Sequence, residues 1–188
     1  MFWFPAKSKV TIFNFTEHYQ FSTRLYLENT LLEIISETKL LGTIISSDLT
    51  WHKNTDMLVR KAYQRMMILR KLYSFKVEES DLVNIYILHI RSIVEQSCQV
   101  WHFTITEEEK SDLERVQKVA CKIILQDDYI SYEQALQELN LETLSASRDI
   151  LCLKFAKKYL KNPKAKDMFP LNTAEDWPGT DKYILFSM

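Results

Sequence analysis

Residues 39–51 read Lys39-Leu40-Leu41-Gly42-Thr43-Ile44-Ile45-Ser46-Ser47-Asp48-Leu49-Thr50-Trp51, and the chain changes character across them. Leu40, Leu41, Ile44 and Ile45 are apolar or β-branched and Gly42 permits close backbone approach, so the stretch predicts a strand. Ser46-Ser47-Asp48 ends it as a polar turn. Upstream the apolar residues alternate, and downstream they recur every three or four positions. That switch of period gives an α+β, mostly α chain: short antiparallel strands followed by a helical bundle.

On the upstream side, Lys9 to Asn14 alternates with Val10 and Ile12 on one face. Gln20 to Leu27 does the same through Phe21, Thr23, Leu25 and Leu27. Glu28-Asn29-Thr30 turns the chain and Leu31 to Ile35 returns, which predicts a hairpin. Three or four strands without a covering helix cannot bury a face, so they need the later helices or a segment outside this chain.

On the downstream side, Leu58, Ala62, Met66, Leu69 and Tyr73 form the inner stripe of a helix beginning near Lys53, with Arg60, Gln64, Met67 and Lys71 opposite. Lys53, Arg60, Lys61, Arg65, Arg70, Lys71 and then Lys76 stand against Asp56 alone. Such a local excess is the footprint of a phosphate-facing element, or else a solvated charged face. Ser80 to Gln96 is apolar almost all round, predicting a helix central to a bundle with His89 inside and Arg91 able to pair with Glu95.

Thr106-Glu107-Glu108-Glu109 is a capping box opening a helix to about Leu125, and Ser131-Tyr132-Glu133-Gln134 opens a shorter one. A last helix, about Leu144 to Leu160, turns Leu151, Phe155, Ala156, Tyr159 and Leu160 inward and Lys154, Lys157, Lys158 and Lys161 outward. Asn162-Pro163 stops it. Asp127-Asp128 reads as a surface turn after a helix end.

The totals narrow the function classes. A net charge of -1 over 188 residues gives no global pull toward nucleic acid, so any binding must come from local clustering. Cys98, Cys121 and Cys152 are widely separated within apolar sequence and predict buried thiols in a reducing compartment. The four histidines, His18, His52, His89 and His102, have no ligand spacing, and a helix end with a core thiol accounts for Cys98 and His102 without zinc. No run is long and apolar enough to span a bilayer or act as a signal segment, so an intracellular protein, cytoplasmic or nuclear, without membrane partners is expected.

Taken in order, Lys39 to Trp51, Lys61-Ala62, Leu69-Arg70-Lys71-Leu72, Ile85-Tyr86, Ile90-Arg91-Ser92-Ile93-Val94-Glu95, Val100-Trp101 and Leu113-Glu114-Arg115-Val116-Gln117-Lys118 resemble the region after the catalytic centre in reverse transcriptases of non-LTR (LINE-class) retrotransposons. The resemblance runs over roughly residues 6 to 162. It implies a remnant of the polymerase palm over residues 1–51, a helical thumb over 52–162 and a tail over 163–188. Pro5-Ala6-Lys7-Ser8-Lys9-Val10 resembles a segment whose lysine assists the leaving pyrophosphate, which assigns that role to Lys7, with Phe4 where the family has asparagine. Leu41 and Gly42 correspond to the primer grip, although an ordinary strand bulge explains Gly42 equally. Lys53, Arg60, Lys61, Arg65 and Lys71 would contact the phosphates of an RNA/DNA duplex.

The parent family uses Mg²⁺ held by an upstream aspartate and an aromatic-x-Asp-Asp turn, and neither motif occurs here. The expectation is therefore a non-catalytic chain without a cofactor of its own, partnered by duplex and by the missing palm and fingers. A helical protein-interaction module and a relic reading frame are the competing readings.

Overall fold

A computed structural model of the chain describes residues 8–13 and 24–162. The described residues are mostly helical, with six short strands before seven α-helices. The chain divides into two units between Leu151 and Cys152.

The strands make three two-stranded sheets, two antiparallel as expected and one parallel, which corrects the wholly antiparallel arrangement read from the sequence. Strand β1 (Lys9–Val10) pairs in parallel with β4 (Glu33–Ile34). β2 (Tyr26–Leu27) and β3 (Thr30–Leu31) form a hairpin shorter than expected, with Glu28 and Asn29 both at positive φ in its turn and Thr30, read as part of the turn, paired with Leu27; residues 20–23 of the expected first strand lie outside the described residues. β5 (Glu37–Leu40) and β6 (Thr43–Ser46) form a second hairpin. The continuous strand expected over Lys39–Ile45 is thus broken at its middle: Leu41 and Gly42 are the two-residue turn. Their φ values of 49° and 91° explain this, because a two-residue turn with positive φ at both positions matches the twist of paired strands. Gly42 is consequently a turn glycine and not a bulge. Gly42→Ala should cost about 1 kcal/mol, measured by urea unfolding, because a methyl group is strained at that φ. The new methyl would also meet Gln96 Nε2 at 2.4 Å, but that amide ends a flexible side chain and can yield.

The polar turn after β6 forms as read. Asp48 accepts from the Thr50 amide at 3.1 Å and the Thr50 hydroxyl at 2.9 Å, and these bonds hold its carboxyl below the ordinary value. Helix α1 (His52–Ser74) then begins. Its buried stripe of Leu58, Ala62, Met66 and Leu69 packs on α5 (Glu107–Leu125), where Leu113, Val116 and Ala120 are buried. Tyr73, assigned to that stripe by spacing, is 41% exposed, since it lies at the helix end beyond the packed turns.

The helix predicted over Ser80–Gln96 has a more complicated register. It comprises α2 (Glu79–Tyr86), a π turn (Ile87–Arg91) and α3 (Ser92–Val94). A π turn takes one extra residue per turn and rotates the residues after it about the helix axis. Leu82, Tyr86, Ile90 and Val94 are buried, while Ile87, Leu88 and His89 are exposed. The all-round apolar pattern therefore does not produce an all-round buried helix, and His89 is not an inner histidine. The Arg91–Glu95 pair forms at 2.8 Å, with Glu142 bound to the same guanidinium at 2.9 Å. Burial works against that charge, but the two carboxylates outweigh it and lift the Arg91 pKa.

Ser97 takes a left-handed φ of 53° and leads into α4 (Cys98–Trp101). The capping box at α5 is complete: Thr106 Oγ1 accepts from the Glu109 amide, and Glu109 accepts from the Thr106 amide at 2.7 Å. Asp127 and Asp128 sit in an exposed 3₁₀ turn (Gln126–Asp128), and Ser131 caps α6 (Tyr132–Glu138). Helix α7 (Leu144–Leu160) completes the series.

A buried polar chain ties the α2, α5 and α6 segments together. Tyr86 donates to Gln117 Oε1 at 2.6 Å, Gln117 donates to Tyr132 at 2.9 Å and to the Glu142 carbonyl at 2.8 Å, and Tyr132 donates to Glu114. The three cysteines are buried thiols and not disulfides, and burial pushes the Cys121 thiol up to about 11. No described helix is long and apolar enough to cross a membrane.

Candidate nucleic-acid interface

Helix α1 presents the clearest charged surface. At 3.6 residues per turn, Lys53, Arg60 and Lys71 fall in one row opposite the buried stripe, with Gln64 and Met67 between them. Arg60, Arg65 and Lys71 are exposed and Lys61 is half-buried. None of these four forms an ion pair among the described residues. Lys61 and Arg65 lie on a neighbouring edge of the same helix, closer to the packed side. From Lys53 to Lys71 the row spans about 27 Å along the axis.

Lys53 differs from the rest. Its ammonium sits 2.5 Å from Glu37 of β5, so its charge is already partnered, although both groups are about half exposed. Asp56 contacts His52 at 3.5 Å and, with Glu108, Glu109 and Asp112, lines an acidic groove at the start of α1. The cationic surface therefore begins past Asp56. Arg70, on another side of the helix, directs its guanidinium to Met67 Sδ at 3.8 Å.

The β5–β6 hairpin is fastened beside the start of α1. Besides the Lys53–Glu37 pair, Asn54 Oδ1 accepts from the Ile44 amide at 3.1 Å, while Thr43 and Ser46 are buried. At the other end of the hairpin, Gln96 Nε2 donates to the Leu41 carbonyl at 3.3 Å. Leu41 itself is 89% exposed, so an apolar side chain stands out at the tip. Lys7 lies outside the described residues. Of the residues singled out from sequence, the fold brings Arg60, Lys61, Arg65 and Lys71 onto one helix, and holds Leu41 and Gly42 on a hairpin joined to that helix's first turns.

Two features escaped sequence reasoning. Glu37 and Gln96 act on Lys53 and Leu41 across 16 and 55 residues, and nothing local announces either contact. The second is a buried cluster. His102, 3% exposed, engages Asp149 through Nε2 at 2.9 Å and accepts from Arg148 Nε through Nδ1 at 3.1 Å. Arg148 is fully buried, with its guanidinium 5.8 Å over the Trp101 ring, and burial lowers its pKa. A neutral His102 fits this arrangement, since one nitrogen must donate and the other accept.

Burial lowers the His102 pKa below 6.5, reinforced by the Arg148 charge and opposed by the bond to Asp149. The unfolded chain thus takes up the proton more readily than the folded protein. Stability contributed by neutral His102 is whole above that ordinary value and is lost as pH falls from it through the folded-state pKa. Thermal melts should give a lower Tm at about pH 5 than at about pH 7.5, and His102→Gln should shrink that difference.

Among the described residues no three carboxylate, histidine or cysteine side chains gather as a metal-binding group. No family model, curated protein or solved structure matches the chain.

Proposed function

We propose that this chain is the palm-end and thumb portion of a non-LTR retrotransposon reverse transcriptase, holding RNA/DNA duplex without catalysing synthesis. The observation that carries the reading is the set of exposed cations on α1 past Asp56, namely Arg60, Arg65 and Lys71, which lack acidic partners among the described residues, in a chain whose overall charge is -1. A helix face with that spacing contacts phosphates and leaves base identity unread. The primer-grip assignment of Leu41 and Gly42 rests on the sequence resemblance, and in the fold the two residues form a tight turn against which Gln96 lies. Lys7 keeps its proposed part beside the pyrophosphate, carried by the Pro5 to Val10 resemblance alone.

The described residues do not fit a Mg²⁺ pair: Asp127 and Asp128 stand on an exposed turn after α5 with no third ligand gathered beside them. On the sequence resemblance and the missing aromatic-x-Asp-Asp turn, duplex holding is assigned to this chain and the metal chemistry to the parent polymerase. A second reading, a protein-interaction module, is favoured by apolar side chains left outside on the strands: Tyr26 is 59% exposed, Leu31 55% and Leu40 58%. These same side chains suit docking of the remaining palm and fingers.

Fluorescence anisotropy with a labelled RNA–DNA hybrid separates the readings. Phosphate contact predicts binding whose affinity drops with added salt, with about 0.9 logarithmic units of slope per phosphate neutralised on a duplex. Absence of binding at low salt, or binding indifferent to salt, would count against it.

A further inference from the structure

The described residues of the second unit carry cationic and aromatic side chains. In the last turns of α7, Lys154, Lys158 and Lys161 follow i, i+4, i+7 spacing and form one row, and Phe155, Tyr159 and Asn162 form the adjacent row by the same spacing. The sequence pattern turned Phe155 and Leu160 inward. Instead Phe155 is 50% exposed and Leu160 46%. The Phe155 and Tyr159 rings stack, with centroids 5.6 Å apart and planes 24° from parallel. Phe155, Lys158, Tyr159, Lys161 and Asn162 line one concavity of about 340 Å³. None of the four lysines from Lys154 to Lys161 is in an ion pair among the described residues, and no acidic residue occurs between Asp149 and Asn162.

From this juxtaposition of a stacked, half-exposed ring pair with an unneutralised lysine row we infer that the end of α7 binds single-stranded nucleic acid. Phosphates would run along Lys154, Lys158 and Lys161 while an unstacked base lies against Phe155 in the concavity. Such a pairing of cations that track a backbone with aromatic platforms that accept any base is how single strands are held without sequence preference. Duplex bases are stacked on one another and offer the rings no free face.

The test uses the full chain carrying Arg60→Ala, Arg65→Ala and Lys71→Ala, so that failure of the α1 reading and failure of this one are distinguishable. In that background, oligo(dT), oligo(U), heparin and phosphatidylserine vesicles are titrated at low salt, with circular dichroism melts confirming that each variant is folded. Binding of oligo(dT) or oligo(U) is expected. Phe155→Ala should weaken it roughly tenfold, Phe155→Leu should weaken it comparably, and Phe155→Trp should restore it, with heparin binding unmoved throughout. Four results would overturn the inference: no oligonucleotide binding, equal losses for heparin and oligonucleotide, an unaltered oligonucleotide affinity on removing the Phe155 ring, or vesicles bound in preference to either strand.

Discussion

Replacing Trp101 with alanine is expected to cost about 3–5 kcal/mol, the range for removing a large aromatic from a packed core. Against a typical domain stability of roughly 5–15 kcal/mol this is the largest single loss anticipated for the chain. Trp101 is fully buried, its indole nitrogen donates to the Gln96 carbonyl at 3.1 Å, and it carries the Arg148 guanidinium over its face. The effect should reach beyond stability. Gln96 also holds the Leu41 carbonyl, so the indole supports the residue that fastens the hairpin tip. Urea unfolding should show the lowered midpoint, and hydrogen exchange should show the β5–β6 hairpin opening faster under native conditions. Trp101→Phe retains most of the ring but not the hydrogen bond, and should lose less stability while still loosening the hairpin.

The second large effect is on binding. Changing Arg60, Arg65 and Lys71 together to alanine removes three exposed charges without touching the buried stripe of α1. Affinity for an RNA–DNA duplex should fall by on the order of a hundredfold at low salt, and the salt slope should flatten by roughly two phosphate equivalents, since Arg60 and Lys71 share the row and Arg65 lies on the neighbouring edge. Folding should be little altered, because exposed charges without partners contribute little to stability. Lys53→Ala should do less than any of the three to binding, since Glu37 already satisfies that ammonium. Isothermal titration or anisotropy across a salt series reads both quantities.

What the sequence disclosed and what it withheld divide along a physical line. Helices α1 and α5 were legible because their periodicity and the Thr106–Glu109 capping box are local, and local chemistry suffices to start and orient a helix. The Glu28-Asn29 turn was legible for the same reason, since asparagine tolerates positive φ. Leu41 is different. A leucine at a φ of 49° is disfavoured by its own side chain, and the apolar run around it reads as unbroken strand until the pairing of β5 with β6 is known. Likewise the exposure of Leu88 and His89 follows from which face of the helix finds partners, and an apolar pattern running all round does not say which face that is. At the candidate interface, the solvent-facing cations followed from helical spacing, whereas the neutralisation of Lys53 required Glu37 to arrive from another element. The Phe155 side chain carried an apolar label, and a label of that kind does not say whether a partner is available to cover it.

A photo-crosslinking residue, benzoylphenylalanine, placed at Met67 tests the central claim most directly. Met67 is 64% exposed and lies between Arg60 and Lys71 in the cationic row, so a duplex following that row must pass over it. The same probe at Ile130, 74% exposed and close in sequence to Asp127 and Asp128, provides the comparison. Efficient crosslinking of RNA–DNA hybrid at Met67, suppressed by added salt and weak at Ile130, is the predicted result. Equal yields at the two positions, or a duplex captured at Ile130 alone, would contradict the account.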